Sequence, residues 1–116
     1  MVLPFEEEYR KKYYKLLDEV FESNFWSDGK MTRMFEEKFE EYTGLPSCAV
    51  TSGGAGLLSI FEYIGVRGYD VIVPANTFWA TTQAAKMAGA NIIYADCNKE
   101  DLCLSYEDLI RKVTPG

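Results

Sequence analysis

Apolar residues at Phe5, Tyr9, Tyr13, Leu16, Leu17 and Val20 recur at helical spacing with charged residues between them, which predicts an amphipathic helix over residues 5–22. Its aromatic stripe is expected to face a core. The turn-forming run Ser23-Asn24-Phe25-Trp26-Ser27-Asp28-Gly29-Lys30 interrupts the pattern, and Met31, Met34, Phe35, Phe39 and Tyr42 resume it up to Gly44-Leu45-Pro46. A second helix with a glycine stop follows from that. Beyond Ser47 the rhythm changes: short β-prone runs at Cys48–Thr51, Val71–Val73 and Ile92–Ala95 alternate with helical runs at Ala55–Ile64 and Phe78–Ala88. The strand candidates are apolar throughout, as strands covered by helices on both faces are, so a parallel sheet with right-handed crossovers is expected. A last helix is expected to start at Ser105, with Asp108 reaching back, Leu104 stapled to Leu109, and an end by Pro115. The chain thus divides into a helical segment, 1–46, and βα repeats, 47–116, within one α/β domain.

Composition narrows the function classes. At 116 residues and 47% hydrophobic content the chain suits one globular domain. Acidic residues outnumber basic ones by 18 to 12, which leaves no basic footprint for a phosphate backbone and argues against nucleic acid. No run is long enough to span a bilayer and the first residues lack a signal-peptide pattern, so no membrane role and a cytoplasmic location are expected. Three cysteines, Cys48, Cys97 and Cys103, lack CxxC spacing, and reduced thiols rather than a metal site are expected. Histidine is absent, which removes the commonest general base and metal ligand.

Two stretches could carry chemistry. In Ala49-Val50-Thr51-Ser52-Gly53-Gly54-Ala55-Gly56-Leu57-Leu58 an apolar run meets a helix through a turn nearly free of side chains. Unpaired amides and aligned dipoles at a helix start attract anions, and glycine lets a phosphate approach the backbone. A tight structural turn would use the same residues. The run fits neither a P-loop, since no lysine follows Gly56, nor a dinucleotide fingerprint, since Gly53-Gly54-Ala55-Gly56 has the wrong spacing. In Val71-Ile72-Val73-Pro74-Ala75-Asn76-Thr77-Phe78-Trp79-Ala80-Thr81, two aromatics stand where a strand ends and a helix begins. Such positions serve either as core or as a platform for a planar ligand at the carboxyl edge of a parallel sheet.

Taken together, Trp26-x-x-Gly29, Phe35-Glu36-x-x-Phe39-x-x-Tyr42-x-Gly44, Thr51-Ser52-Gly53, Asp70-Val71-Ile72-Val73-Pro74-Ala75-Asn76-Thr77-Phe78, Ala88-Gly89-Ala90 and Asp96 resemble the DegT/DnrJ/EryC1/StrS family. Members are pyridoxal-phosphate-dependent enzymes acting on nucleotide-linked keto-sugars, in biosynthesis of amino sugars for surface polysaccharides or secondary metabolites. The resemblance covers nearly the whole chain in order.

The resemblance implies the amino-terminal part of the large domain of an aspartate-aminotransferase-like fold (pyridoxal-phosphate fold type I). It places the cofactor phosphate on the amides of Gly54 and Ala55 and the pyridine ring on Phe78, leaving Trp79 to packing. Family members commonly have threonine or serine where Gly54 stands. Gly29 and Lys30 become candidates on the sugar-nucleotide side, an interhelical loop being the competing reading. The Schiff-base lysine and the acidic partner of the pyridinium nitrogen lie beyond this length in the family, so no catalytic residue is assigned here. Asp96 and Asp101 are expected to be turn and cap residues. The resemblance further implies a homodimer, an amino-acid amino donor and a nucleotide-sugar substrate. The chain ends where the family continues into another strand, which implies a fragment with unpaired sheet edges, inactive alone and of doubtful independent stability. A sugar dehydratase of the same family, or a non-enzymatic interaction module, would share these features.

Overall fold

The computed structural model describes residues 6–113, so the expectations for Phe5 and Pro115 fall outside the described residues. The chain splits into two compact units, Met1–Ala49 and Val50–Gly116.

The first unit contains α1 (Glu7–Ser23) and α2 (Lys30–Thr43). Glu7 and Glu8 sit in the first turn of α1, where acidic groups complement the helix dipole. The helix ends at Asn24 in the left-handed region, φ 53°. Gly44 ends α2 at φ 72°, a conformation costly for a residue with a Cβ, and its N–H donates to the Glu40 carbonyl. Lys30 Nζ donates to Glu19 Oε2 at 2.8 Å, and Glu36 Oε1 accepts the Ala49 amide at 2.7 Å. The expected burial of the aromatic stripe is corrected: no residue of either helix is buried, and Tyr9, Tyr13, Phe35 and Phe39 are exposed. An amphipathic helix buries its stripe only against a second apolar surface, and among the described residues of this unit none covers these rings.

The second unit holds α3 (Gly53–Ile64), β1 (Asp70–Pro74), α4 (Trp79–Met87), β2 (Asn91–Ala95) and α5 (Tyr106–Lys112). β1 and β2 pair in parallel with Val71 beside Ile92 and Val73 beside Tyr94, and α4 connects them. This is the expected mixed helix and strand architecture with a parallel sheet. Val66, Ala85, Ala88 and Ala90 form its buried centre, against which Leu58 and Phe61 of α3, Val71 and Ile92 pack. Alanines at 85 and 88 let α4 approach the strands closely.

Three expectations need correction. Cys48–Thr51 is not a strand, because strand structure requires a paired neighbour and the two-stranded sheet supplies none to it. Helix α3 starts at Gly53 rather than Ala55, since Ser52 caps it. Asp108 does not reach back to its own cap; it reaches sideways. Ser105 Oγ accepts the Asp108 N–H at 3.3 Å as expected, while Asp108 Oδ2 accepts the Asp96 N–H at 2.7 Å and the Lys112 ammonium at 2.6 Å. Lys112 also donates to the Tyr94 carbonyl, so α5 is clasped to the end of β2. The Lys112 hydrogen bond first, and then the Asp96 amide, hold the Asp108 carboxyl below the usual carboxylate range.

Candidate cofactor site

The start of α3 is fixed by its cap. Ser52 is extended, φ −165° and ψ 163°, the conformation an N-cap needs. Its Oγ accepts the Ala55 N–H at 3.1 Å and its carbonyl accepts the Gly56 N–H at 3.0 Å. Gly53 and Gly54 therefore occupy the first helical turn, and their amides have no acceptor among the described residues. A Cβ on Gly54 would lie 3.4 Å from the Ala80 Cβ and 3.7 Å from Ser52 Oγ, so the start of α3 abuts the start of α4.

The loop from β1 to α4 brings the aromatics to the same place. Ala75 N–H donates to the Ala95 carbonyl at 2.8 Å, continuing the parallel ladder one step past Pro74. Thr77 Oγ1 bonds Thr81 Oγ1 at 3.2 Å, and Phe78 is the residue before α4. Phe78 and Trp79 lie with ring centroids 5.6 Å apart at 50°, and both are about two-thirds exposed, at 69% and 68%. A concavity of about 790 Å³ is lined by Ser52, Gly53, Gly54, Ala55, Phe78 and Trp79 and continues between α3 and α4. Its volume falls in the range of small-molecule sites, about 300–1,000 Å³.

Among the described residues no charged side chain lines this concavity, so backbone dipoles are what it offers an anion. Gly54, Ala55 and Phe78 are brought together, with one qualification: the Ala55 amide already bonds Ser52 Oγ, and the free amides are those of Gly53 and Gly54. Serine directly before a glycine run at a helix start is the N-cap signal that points to this. Trp79, expected in packing, is instead exposed on the concavity wall beside Phe78.

Gly29 and Lys30 belong to the helical unit. They line a hollow of about 420 Å³ with Glu19, Glu22, Phe25 and Trp26. The Lys30 ammonium is occupied by Glu19, whose carboxyl it lowers first by the hydrogen bond and then by charge attraction. An anion entering this hollow competes with that carboxylate. Asp96 Oδ1 accepts the Cys97 amide, and Asp101 Oδ1 accepts the Cys103 amide and the Asn98 side chain. Both aspartates thus make turn contacts. Among the described residues no group of three or more Cys, Asp or Glu could hold a metal ion, and no helix is long and apolar enough to cross a membrane.

The chain matches the DegT/DnrJ/EryC1/StrS aminotransferase family over residues 7–116. It belongs to that family. It is 31% identical over 102 residues to dTDP-4-dehydro-2,3,6-trideoxy-D-glucose 4-aminotransferase of Saccharopolyspora spinosa, covering 84% of this chain and 26% of that protein. It is 32% identical over 90 residues to GDP-perosamine synthase of Escherichia coli O157:H7, covering 76% of this chain and 25% of the other. It is 27% identical over 112 residues to GDP-4-keto-6-deoxy-D-mannose 3-dehydratase of Yersinia pseudotuberculosis, covering 90% and 28%. The chain spans about a quarter of the length of these DegT-family relatives.

Proposed function

We propose that this chain is the amino-terminal part of the large domain of a fold-type-I, pyridoxal-phosphate-dependent aminotransferase that acts on a nucleotide-linked keto-sugar. Residues 1–46 are its helical entry segment and 47–116 its cofactor-binding βα repeats. The observation that carries this reading is the shared concavity of the free Gly53 and Gly54 amides and the exposed Phe78 ring. The names of the relatives support the substrate class.

The residues fit the cofactor by their chemistry. Free N–H groups at a helix start suit a phosphate, and the missing side chains at 53 and 54 leave room for it. An exposed ring at the rim suits a planar heterocycle. When bound, pyridoxal phosphate supplies an electron sink for charge developing on the amino donor. The Gly54 amide holds the phosphate, the Ala55 amide joins it once the Ser52 hydroxyl turns aside, and Phe78 orients the ring. Among the described residues no lysine lines the concavity; the role proposed for this segment is to bind and position the cofactor. Gly29 and Lys30 serve the sugar-nucleotide side once Glu19 yields Lys30. An amino-acid donor, a homodimeric assembly and cytoplasmic work complete the proposal.

The 27% match to the dehydratase favours a second reading, in which the parent enzyme removes a hydroxyl from the sugar. Phosphate and ring binding by this segment serve both reactions. Equilibrium titration tests the shared part: pyridoxal 5′-phosphate should bind, inorganic phosphate should compete, and Phe78→Ala should weaken binding by about twofold to tenfold. Binding indifferent to inorganic phosphate and to Phe78 would refute the site.

A further inference from the structure

The Phe78 ring has little of its own to hold it. It is 69% exposed, its only ring neighbour among the described contacts is Trp79, and the start of α4 has no side-chain cap. The loop that presents it, residues 75–78, is tied mostly to itself and to the two strands. One side chain reaches further. Asn76 Nδ2 donates to the Leu102 carbonyl at 2.8 Å, across 26 residues of sequence.

The acceptor belongs to a hydrogen-bonded turn. Cys97 and Leu104 form an antiparallel bridge, and the Asn98 N–H donates to the Cys103 carbonyl at 2.9 Å. Inside that turn the Leu102 N–H donates to the Asn98 carbonyl at 3.1 Å. The Asp101 carboxylate accepts from the Cys103 amide at 2.9 Å and from Asn98 Nδ2 at 3.2 Å. Leu102 sits in the left-handed region, φ 59°, with its side chain exposed. That conformation is strained for a γ-branched residue, and no burial of its side chain offsets the strain. What the turn gains there is a carbonyl presented to Asn76.

We propose that Asn76 is a positioning residue: by fastening the β1–α4 loop to the Leu102 carbonyl it fixes the direction from which Phe78 meets the cofactor ring. The proposal rests on the reading that Phe78 stacks on that ring. It predicts a specific pattern of coupling, because loosening the loop costs only what the aromatic contact contributes. The phosphate half of the site stands on α3 and does not depend on Asn76.

A double-mutant cycle on the full chain tests this. Dissociation constants for pyridoxal phosphate and for inorganic phosphate are measured for the unaltered protein, Asn76→Ala, Phe78→Ala and the double variant. Asn76→Leu is run alongside, since it keeps a branched side chain of the same heavy-atom count but removes the donor and adds no charge. Asn76→Ala and Asn76→Leu should each weaken pyridoxal phosphate by about twofold to tenfold and leave inorganic phosphate unchanged. In the Phe78→Ala background, Asn76→Ala should have no further effect. Additive losses, an equal loss for inorganic phosphate, or unchanged pyridoxal phosphate affinity would each overturn the proposal. If Phe78→Ala alone changes nothing, the stacking reading itself fails and the positioning role falls with it, an outcome the cycle separates from additivity.

Discussion

At the scale of single residues, the site depends on where side chains are missing and where one hydroxyl already stands. Ser52 occupies the Ala55 amide, which leaves the Gly53 and Gly54 amides unpaired among the described residues and open to the proposed phosphate. A hydroxyl at position 54 would add a contact. A Cβ there would stand 3.4 Å from Ala80 and 3.7 Å from Ser52 Oγ, ordinary contact distances that leave room for serine. Gly54→Ser should therefore tighten pyridoxal phosphate by about tenfold, the scale of a hydrogen bond to a charged group. Calorimetric titration checks this, and unchanged affinity would mean that the phosphate lies elsewhere.

At the scale of elements, caps and clasps decide where helices begin and how they attach. Ser52→Ala removes the side-chain cap of α3 and should lower unfolding free energy by about 1 kcal/mol in urea titration. Asp108 joins α5 to the end of β2 through Asp96 and Lys112. Because folding depresses its carboxyl, its stabilising contribution is fully present above the unfolded value of about 3.9 and is lost as pH falls through the lower folded value. Asp108→Asn should therefore destabilise the protein at neutral pH, and the difference from the unaltered chain should vanish in strong acid. The periodicity of α1, α2 and α4 and the apolar runs of β1 and β2 were readable from sequence because local spacing alone defines them. Gly54 and Phe78, singled out in sequence as chemistry-bearing positions, line one concavity, but Gly54 stands on α3 rather than at the end of a strand of the sheet. The state of Cys48–Thr51 was not readable, because a strand depends on partners that local pattern does not contain. The same holds for Asp108, whose acceptor role is decided by Asp96, 12 residues away, and for Asn76, whose partner lies 26 away.

At the scale of the whole molecule, the buried residues among those described are Val66, Val73, Ala84, Ala85, Ala88, Ala90 and Ala95, all in the second unit. A core made chiefly of alanines around α4 and two strands predicts graded stability. Amides of β1, β2 and α4 should exchange with solvent most slowly and those of α1 and α2 fastest, measured by hydrogen exchange. Uniform protection across both units would contradict that distribution. The start of α3 and the loop after β1 are together proposed to hold pyridoxal phosphate. A crystal structure of the protein grown with that compound tests it most directly. Phosphate oxygens are expected within hydrogen-bonding distance of the Gly54 amide, with the pyridine ring lying on Phe78. A cofactor bound at any other surface, with these two groups empty, would contradict it.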